Sequence, residues 1–474
     1  MCVRSFLAVG SALLVSALLA AAASAGPYKV RNLQAISGPS PFAAGCPGAL
    51  FDDTNITGHE LEPMITVNPA RPRNIIAAWK QDVGPDSTRS DLVASSQNGG
   101  RTWTRTTIPG LSVCTGGTAD AASDPWLSAG GDGTVYFGGL AADISTAPPT
   151  NAVVASQSGD GGRTWASPAT VAPPLQTNET DAITANPTLD GHAYMVWANF
   201  TGELPRTNPL EFSRTTDNGT TWSPPVLIDQ PGLFATDQAP RLLVLPDGTL
   251  LTVFARIDLE AGFGAHYAAR SLDEGQTWLP PVELGPRLPL TEFLHPEFGH
   301  LPQPHFPSAA VAPDGTAYVA FENNSSVTSD GIGVARSRDG GLTWSSSTLR
   351  VSAYGFEPAI AVNQHGTVGL MWYDLRNDRP GDAALTADVW FAHSHNRGRS
   401  WRQTHVAGPT DLRTAPLPAH NYVGEYQGLA GLRRGFAADF TLAAPQAQNG
   451  PTDIFFARIR PGDRDDEDDE DDRR

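Results

Sequence analysis

The stretch Ser337-Arg-Asp339-Gly-Gly341-Leu-Thr343-Trp344 decides the fold, because close copies of it return along the whole chain. They run Ser96 to Trp103, Ser158 to Trp165, Thr215 to Trp222, Ser271 to Trp278 and Ser394 to Trp401, with tryptophan spacings of 62, 57, 56, 66 and 57 residues. Each copy reads as a tight turn between two strands: an Asp or Asn side chain accepts turn amides, and a Gly supplies a positive φ. The tryptophan at the end of each copy is placed to pack between sheets. Around each copy lie further strands, such as Pro358 to Val362 and Ala317 to Phe321, with Asp-Gly turns at Asp247-Gly248 and Asp314-Gly315. Four short antiparallel strands per period make the blade of a β-propeller.

One further period beyond Trp401 carries strand-like segments, Gly435 to Asp439 and Asp453 to Ala457, but no seventh copy of the turn. The alternating segment Tyr28 to Ile36 supplies the strand this last blade lacks, which would close the ring and remove an exposed edge. The chain is therefore read as all-β, a propeller of seven blades with six as the alternative. It occupies residues 26–460 as one domain.

The composition agrees. The 474 residues include 47 Gly and 40 Pro, too many for a helical fold, and 40% apolar residues, enough for a large core. A formal net charge of −18 argues against nucleic acid as a partner. Part of that charge lies in an acidic tail, 461–474, where nine carboxylates and three arginines come after Gly462. At the other end, Arg4, the apolar run Phe6 to Ala23 and Ala23-Ser24-Ala25 read as a signal peptide, 1–25. The mature chain is then secreted, extracellular or periplasmic, with no membrane span and as a monomer. Cys46 and Cys114 remain after cleavage and are expected to pair in an oxidising compartment.

The pattern S-x-D-x-G-x-T-W is the Asp-box, and its sixfold repetition resembles the sialidase (neuraminidase) superfamily and other Asp-box β-propellers. The resemblance implies a glycan-acting protein, an exo-sialidase-like glycoside hydrolase or a degenerate relative, with an extracellular glycan or cell-surface protein as partner. The same turn occurs in enzymes and non-enzymes, so a non-catalytic binding propeller is the alternative. It also implies roles: three arginines clamping a sugar carboxylate, a Tyr nucleophile with a Glu beside it, and an Asp acid/base. Arg241, Arg256 and Arg376 are the clamp candidates. Tyr426 is the candidate nucleophile, Glu322 or Glu357 its partner, and Asp82, Asp86 or Asp91 the acid.

Strand order puts the starts of first strands and the ends of second strands on one face, opposite the repeated turns. That face collects Glu62, Asp124, Asp181 and Glu425 with Lys80, so Glu62 and Glu425 join the substrate-binding candidates. The chain departs from the family at its first blade, where sialidases have Arg-Ile-Pro and this sequence has Leu61-Glu62-Pro63. An acidic residue there repels a sialic acid carboxylate. No cofactor is expected beyond calcium, which an acidic funnel could hold. The insertion Pro286 to Phe306, with His295, Glu297, His300 and His305, matches no standard zinc spacing and reads as a loop over the rim.

Overall fold

The computed structural model describes residues 27–46, 55–84, 88–174, 177–200, 207–290, 294–295, 299–300, 306–323, 331–351, 354–379, 381, 383–416 and 423–462. The signal peptide, Asp86, Asp330, the tail from Asp463 and much of the 286–306 insertion, including Glu297 and His305, lie outside these residues. Strands dominate, and they form seven antiparallel sheets of four strands, the fourth carrying one short extra strand, beside a two-stranded ribbon of Leu294–His295 and Gly299–His300. The seven-bladed expectation is met.

In the first blade the strands are Glu60–Val67, Ile75–Val83, Thr88–Ser96 and Thr104–Thr107, hydrogen-bonded in that order. The seventh blade takes Gly428–Gly431, Phe436–Ala443 and Thr452–Pro461 from the end of the chain and Tyr28–Ala35 from its beginning. Tyr28 pairs with Pro461 and Ala35 with Phe455, so the N-terminal strand completes the last sheet as its pattern predicts. The Glu60 N–H donates to Thr452 Oγ1, and Thr452 Oγ1 donates back to the Glu60 carbonyl, both at 2.8 Å, which ties the seventh blade to the first.

The repeated turns are self-contained hydrogen-bond knots. In the turn between Ser337 and Trp344, Ser337 Oγ accepts from the Gly341 N–H at 2.8 Å, and Asp339 accepts from the Thr343 N–H at 2.9 Å. The tryptophans of these turns pack on the preceding blade: Trp103 meets Phe456 edge-on at 5.0 Å, and Trp278 meets Phe212 at 5.4 Å. Burying one such ring contributes about 2 kcal/mol. Further tryptophans in second strands, Trp79, Trp197 and Trp372, are fully buried, each donating to a side chain of its own sheet at 3.0 Å.

Cys46 and Cys114 form the expected disulfide, with their Cα atoms 4.8 Å apart at a sequence separation of 68. No helix among the described residues is long and apolar enough to cross a membrane.

Candidate functional site

One local device repeated in the first strands aims acidic side chains at the axis. Glu62, Asp124 and Glu357 each precede a proline, and each adopts a left-handed φ, of 56°, 60° and 47°. The pairing with the second strand breaks at each of these points, so every one is a bulge. A bulge re-aims the side chain it carries, and left-handed backbone in a residue other than Gly costs energy that the surrounding packing must sustain. Ala239 before Pro240 has the same conformation, with φ 49°, and two residues on it places Arg241.

Where these strands meet, Lys80 stands between two blades. Its Nζ lies 2.5 Å from Glu62 Oε2 and 2.8 Å from Asp124 Oδ1. The two carboxylate oxygens are therefore no farther apart than those distances laid end to end. Burial works against the Lys80 ammonium, but Asp124, Glu62 and Glu425 outweigh it and hold its pKa well above the ordinary lysine value. Around this ion triad stand more carboxyls than cations. Burial, reinforced by Asp124, raises Glu179 to about 7 and pushes Asp181 well up. Asp91 and Glu425 are also driven well above the carboxylate range, chiefly by burial.

An axial cavity of about 180 Å³ adjoins the triad, with Trp126, Arg241, Tyr426, Phe306, Pro358 and Gln427 in its wall. The Arg241 guanidinium lies 4.0 Å from the centre of the Trp126 ring and 5.7 Å from that of Tyr426. The two rings meet edge-on at 5.5 Å. Burial lowers Arg241 to about 10, against the opposing pull of Tyr426, Asp181, Asp124 and Glu425. The Tyr426 phenol is held well above its ordinary pKa by burial and by Glu62 and Asp124, so it is protonated at neutral pH.

The structure thus brings Arg241, Tyr426, Glu62, Glu425 and Asp91 together and leaves other candidates elsewhere. Arg256 is held by Asp237, at 2.6 Å and 2.7 Å, and by Asp229, and stacks 4.8 Å from the Tyr267 ring. Arg376 grips Asp374 through both oxygens and lies 3.7 Å from the Trp390 ring. Arg256 is held at the seam with the preceding blade, whose last strand carries Asp229, and Arg376 runs along its own blade toward Trp390 and Gln403, so both guanidiniums are tied up away from Arg241 and no three-arginine clamp forms. The expected partners of Tyr426 also need correction. Glu322 accepts from the Glu357 N–H at 3.0 Å, and Glu357 links it to the site, being raised by burial and then by Glu322, Glu62 and Glu425, while the acids that act on Tyr426 itself are Glu62 and Asp124.

Asp82 is not available as an acid. It accepts from Ser40, the Gly58 N–H, Gln81 and Arg89, all within 3.0 Å, and serves as a structural knot. Asp388 and Asp453, which stand like Asp91 near the starts of third strands, are similarly engaged, by His405 and by the Gln448 N–H. Asp91 departs from that set: it is fully buried, and neither carboxyl oxygen has a hydrogen-bond partner among the described residues. Sequence reasoning missed Trp126 as the platform for Arg241. The signal was present, since Trp126 is a tryptophan outside the repeated turns, directly after the Asp124-Pro125 step. Among the described residues, no group of three or more His, Cys, Asp or Glu side chains is arranged to hold a metal ion.

Comparison with known proteins adds the fold. No protein-family model and no curated protein matches the sequence. Among solved structures, a protein of unknown function from Dyadobacter fermentans is 13% identical, with a TM-score of 0.51 covering 91% of this chain and 100% of that one. An α-L-arabinofuranosidase of Fusarium graminearum is 11% identical over 91% of this chain and 98% of its own, with a TM-score of 0.48. A Hadza microbial sialidase is 16% identical over 81% and 76%, with a TM-score of 0.46. At such identities the likeness is one of fold. The class that fold and site define is a seven-bladed propeller with an acidic axial site around a single lysine.

Proposed function

We propose that the protein is a secreted glycan-acting propeller, a glycoside hydrolase whose central funnel takes a sugar without a carboxylate. The observation that carries this reading is the assembly of Trp126, Arg241 and Tyr426 on one cavity wall, beside the Glu62 and Asp124 carboxylates bridged by Lys80. Aromatic faces suit the apolar face of a sugar ring. Two carboxylates that share one ammonium are close enough for the pair of a retaining glycosidase, which stand about 5 Å apart. Glu179, raised to about 7, could carry the proton that a leaving oxygen needs. Tyr426 would act as a nucleophile only if Glu62 or Asp124 took its proton.

The divergence of Arg256 and Arg376 favours an uncharged sugar over sialic acid. Arg241 alone, facing several carboxylates, is a weak receptor for an anion. The test is turnover of a panel of chromogenic glycosides, neutral sugars and an α-sialoside together, by the wild type and by Asp124→Asn. Turnover of a neutral glycoside that falls about 100-fold in the variant supports the assignment. Preference for the sialoside would overturn the substrate class. Saturable glycan or protein binding without any turnover would make this a non-catalytic propeller.

A further inference from the structure

A second cavity, of about 480 Å³, opens on the face opposite the funnel, where the repeated turns lie. It sits between the fifth and sixth blades. Asp314 and Tyr318 contribute from the fifth, and His365, His395, Arg397 and Arg399 from the sixth. Arg397 is tied to Asp314 at 2.9 Å. The Thr367 hydroxyl holds His395 Nδ1 at 3.1 Å, which fixes that ring in the wall. Arg399 and His365 are exposed, and neither side chain has a partner among the described residues. In a protein of net charge −18, Arg397 and Asp314 offset each other in this pocket, and the guanidinium of Arg399 remains beside two imidazoles that can donate N–H groups.

The course of the chain supplies a reason. The last strand ends at Pro461, opposite Tyr28, and the Gly462 N–H donates to the Pro27 carbonyl at 2.9 Å. The Tyr28 ring stands 4.3 Å from His393 and 6.4 Å from His395, so the chain leaves the propeller one ring away from the pocket wall. After Gly462 the sequence continues as Asp463–Arg474, with nine carboxylates in twelve residues. Twelve extended residues reach about 40 Å, ample for the distance.

We propose that the pocket of His365, His395, Arg397 and Arg399 is a receptor for carboxylate-rich peptide, and that the chain's own Asp463–Arg474 is its tethered occupant. The guanidinium of Arg399 is the free fork, suited to paired carboxylate oxygens. Tethering keeps the occupant at high local concentration without requiring high intrinsic affinity. Function on this face is independent of glycan chemistry in the funnel, so failure of one reading leaves the other standing.

The test uses two full-length chains, the wild type and a variant whose nine tail carboxylates are changed to the corresponding amides. The probe is a labelled synthetic peptide of sequence 463–474, monitored by fluorescence anisotropy at about 50 mM and about 500 mM salt. The amide variant should bind the peptide at low salt and lose it at high salt. The wild type should bind about tenfold more weakly, because its own tail competes. Adding Arg399→Glu to the amide variant should abolish binding, and its exposed position leaves the fold intact. Equal affinity in the two chains, no binding to the amide variant, or binding that survives Arg399→Glu would each overturn the proposal. So would capture of a sulfated glycan in place of the peptide.

Discussion

The Lys80 ammonium lies 2.8 Å from the Asp124 carboxylate, and the bond crosses from the second strand of one blade to the first strand of the next. Glu62, on Lys80's own blade, completes the triad. Truncation of Lys80 leaves two carboxylates that are 1% and 8% exposed without their cation. Lys80→Met is therefore expected to lose about 3–5 kcal/mol, read from the urea midpoint at pH 7. A midpoint within error of the wild type would show that the triad contributes nothing to stability.

Buried carboxyls give the protein an unusual response to pH. Burial raises Glu322 to about 8 in the folded chain, whereas the unfolded side chain titrates near 4.5. Both states hold the proton below 4.5. As pH rises from there, the unfolded chain ionises first, so stability from this group is lost up to about pH 8. Glu60, raised to about 8 by burial, acts in the same direction. Glu322→Gln keeps the oxygen that accepts from Glu357 and removes the titration. The variant should lose about 3–4 kcal/mol less than the wild type between pH 5 and pH 8 in urea titrations. Parallel losses in the two proteins would contradict a buried, proton-holding Glu322.

Turn glycines are required for two separate reasons, and a pair of variants, one in a repeated turn and one in the Asp247-Gly248 turn, separates them. Gly275 has φ +81°, and a Cβ there would drive into the Phe212 ring of the neighbouring blade. Gly248 has φ +87° with nothing nearby. Gly275→Ala should cost about 3 kcal/mol and Gly248→Ala about 1 kcal/mol by thermal melting. Equal costs would mean that backbone conformation alone matters.

The two arginines tied up away from Arg241 should behave as structure and Arg241 as site. Arg376→Ala strands the fully buried Asp374 and uncovers Trp390, so melting should show a loss of about 3 kcal/mol with glycan affinity unchanged. Arg241→Lys keeps the charge but loses the plane that stacks on Trp126. About tenfold weaker ligand binding is expected, measured by calorimetry. An Arg376→Ala chain that folds normally but no longer binds would return Arg376 to the site.

The blades were legible because they rest on local rules. A turn of Asp and Gly ending in Trp satisfies its own hydrogen bonds within eight residues, so six copies announce six sheets. The seventh could be inferred from the alternation of Tyr28 to Ile36 and the need to cover an edge. The site was partly legible. Glu62, Asp124 and Arg241 could be placed on one face from strand order, yet their roles could not be assigned.

The sequence by itself determined the architecture, since period, turn chemistry and alternation are properties of neighbouring residues. Only the tertiary structure decided which charges meet. Arg241, Arg256 and Arg376 all lie on first strands or at the ends of second strands, and nothing local distinguishes them. Asp229 and Asp237 capture one, Asp374 another, and Trp126 with Tyr426 receives the third. Those partners lie up to 185 positions away in sequence, as Tyr426 does from Arg241, because the ring brings distant first strands to one axis. Charge pairing depends on distance in space, and closure of the ring is what sets that distance.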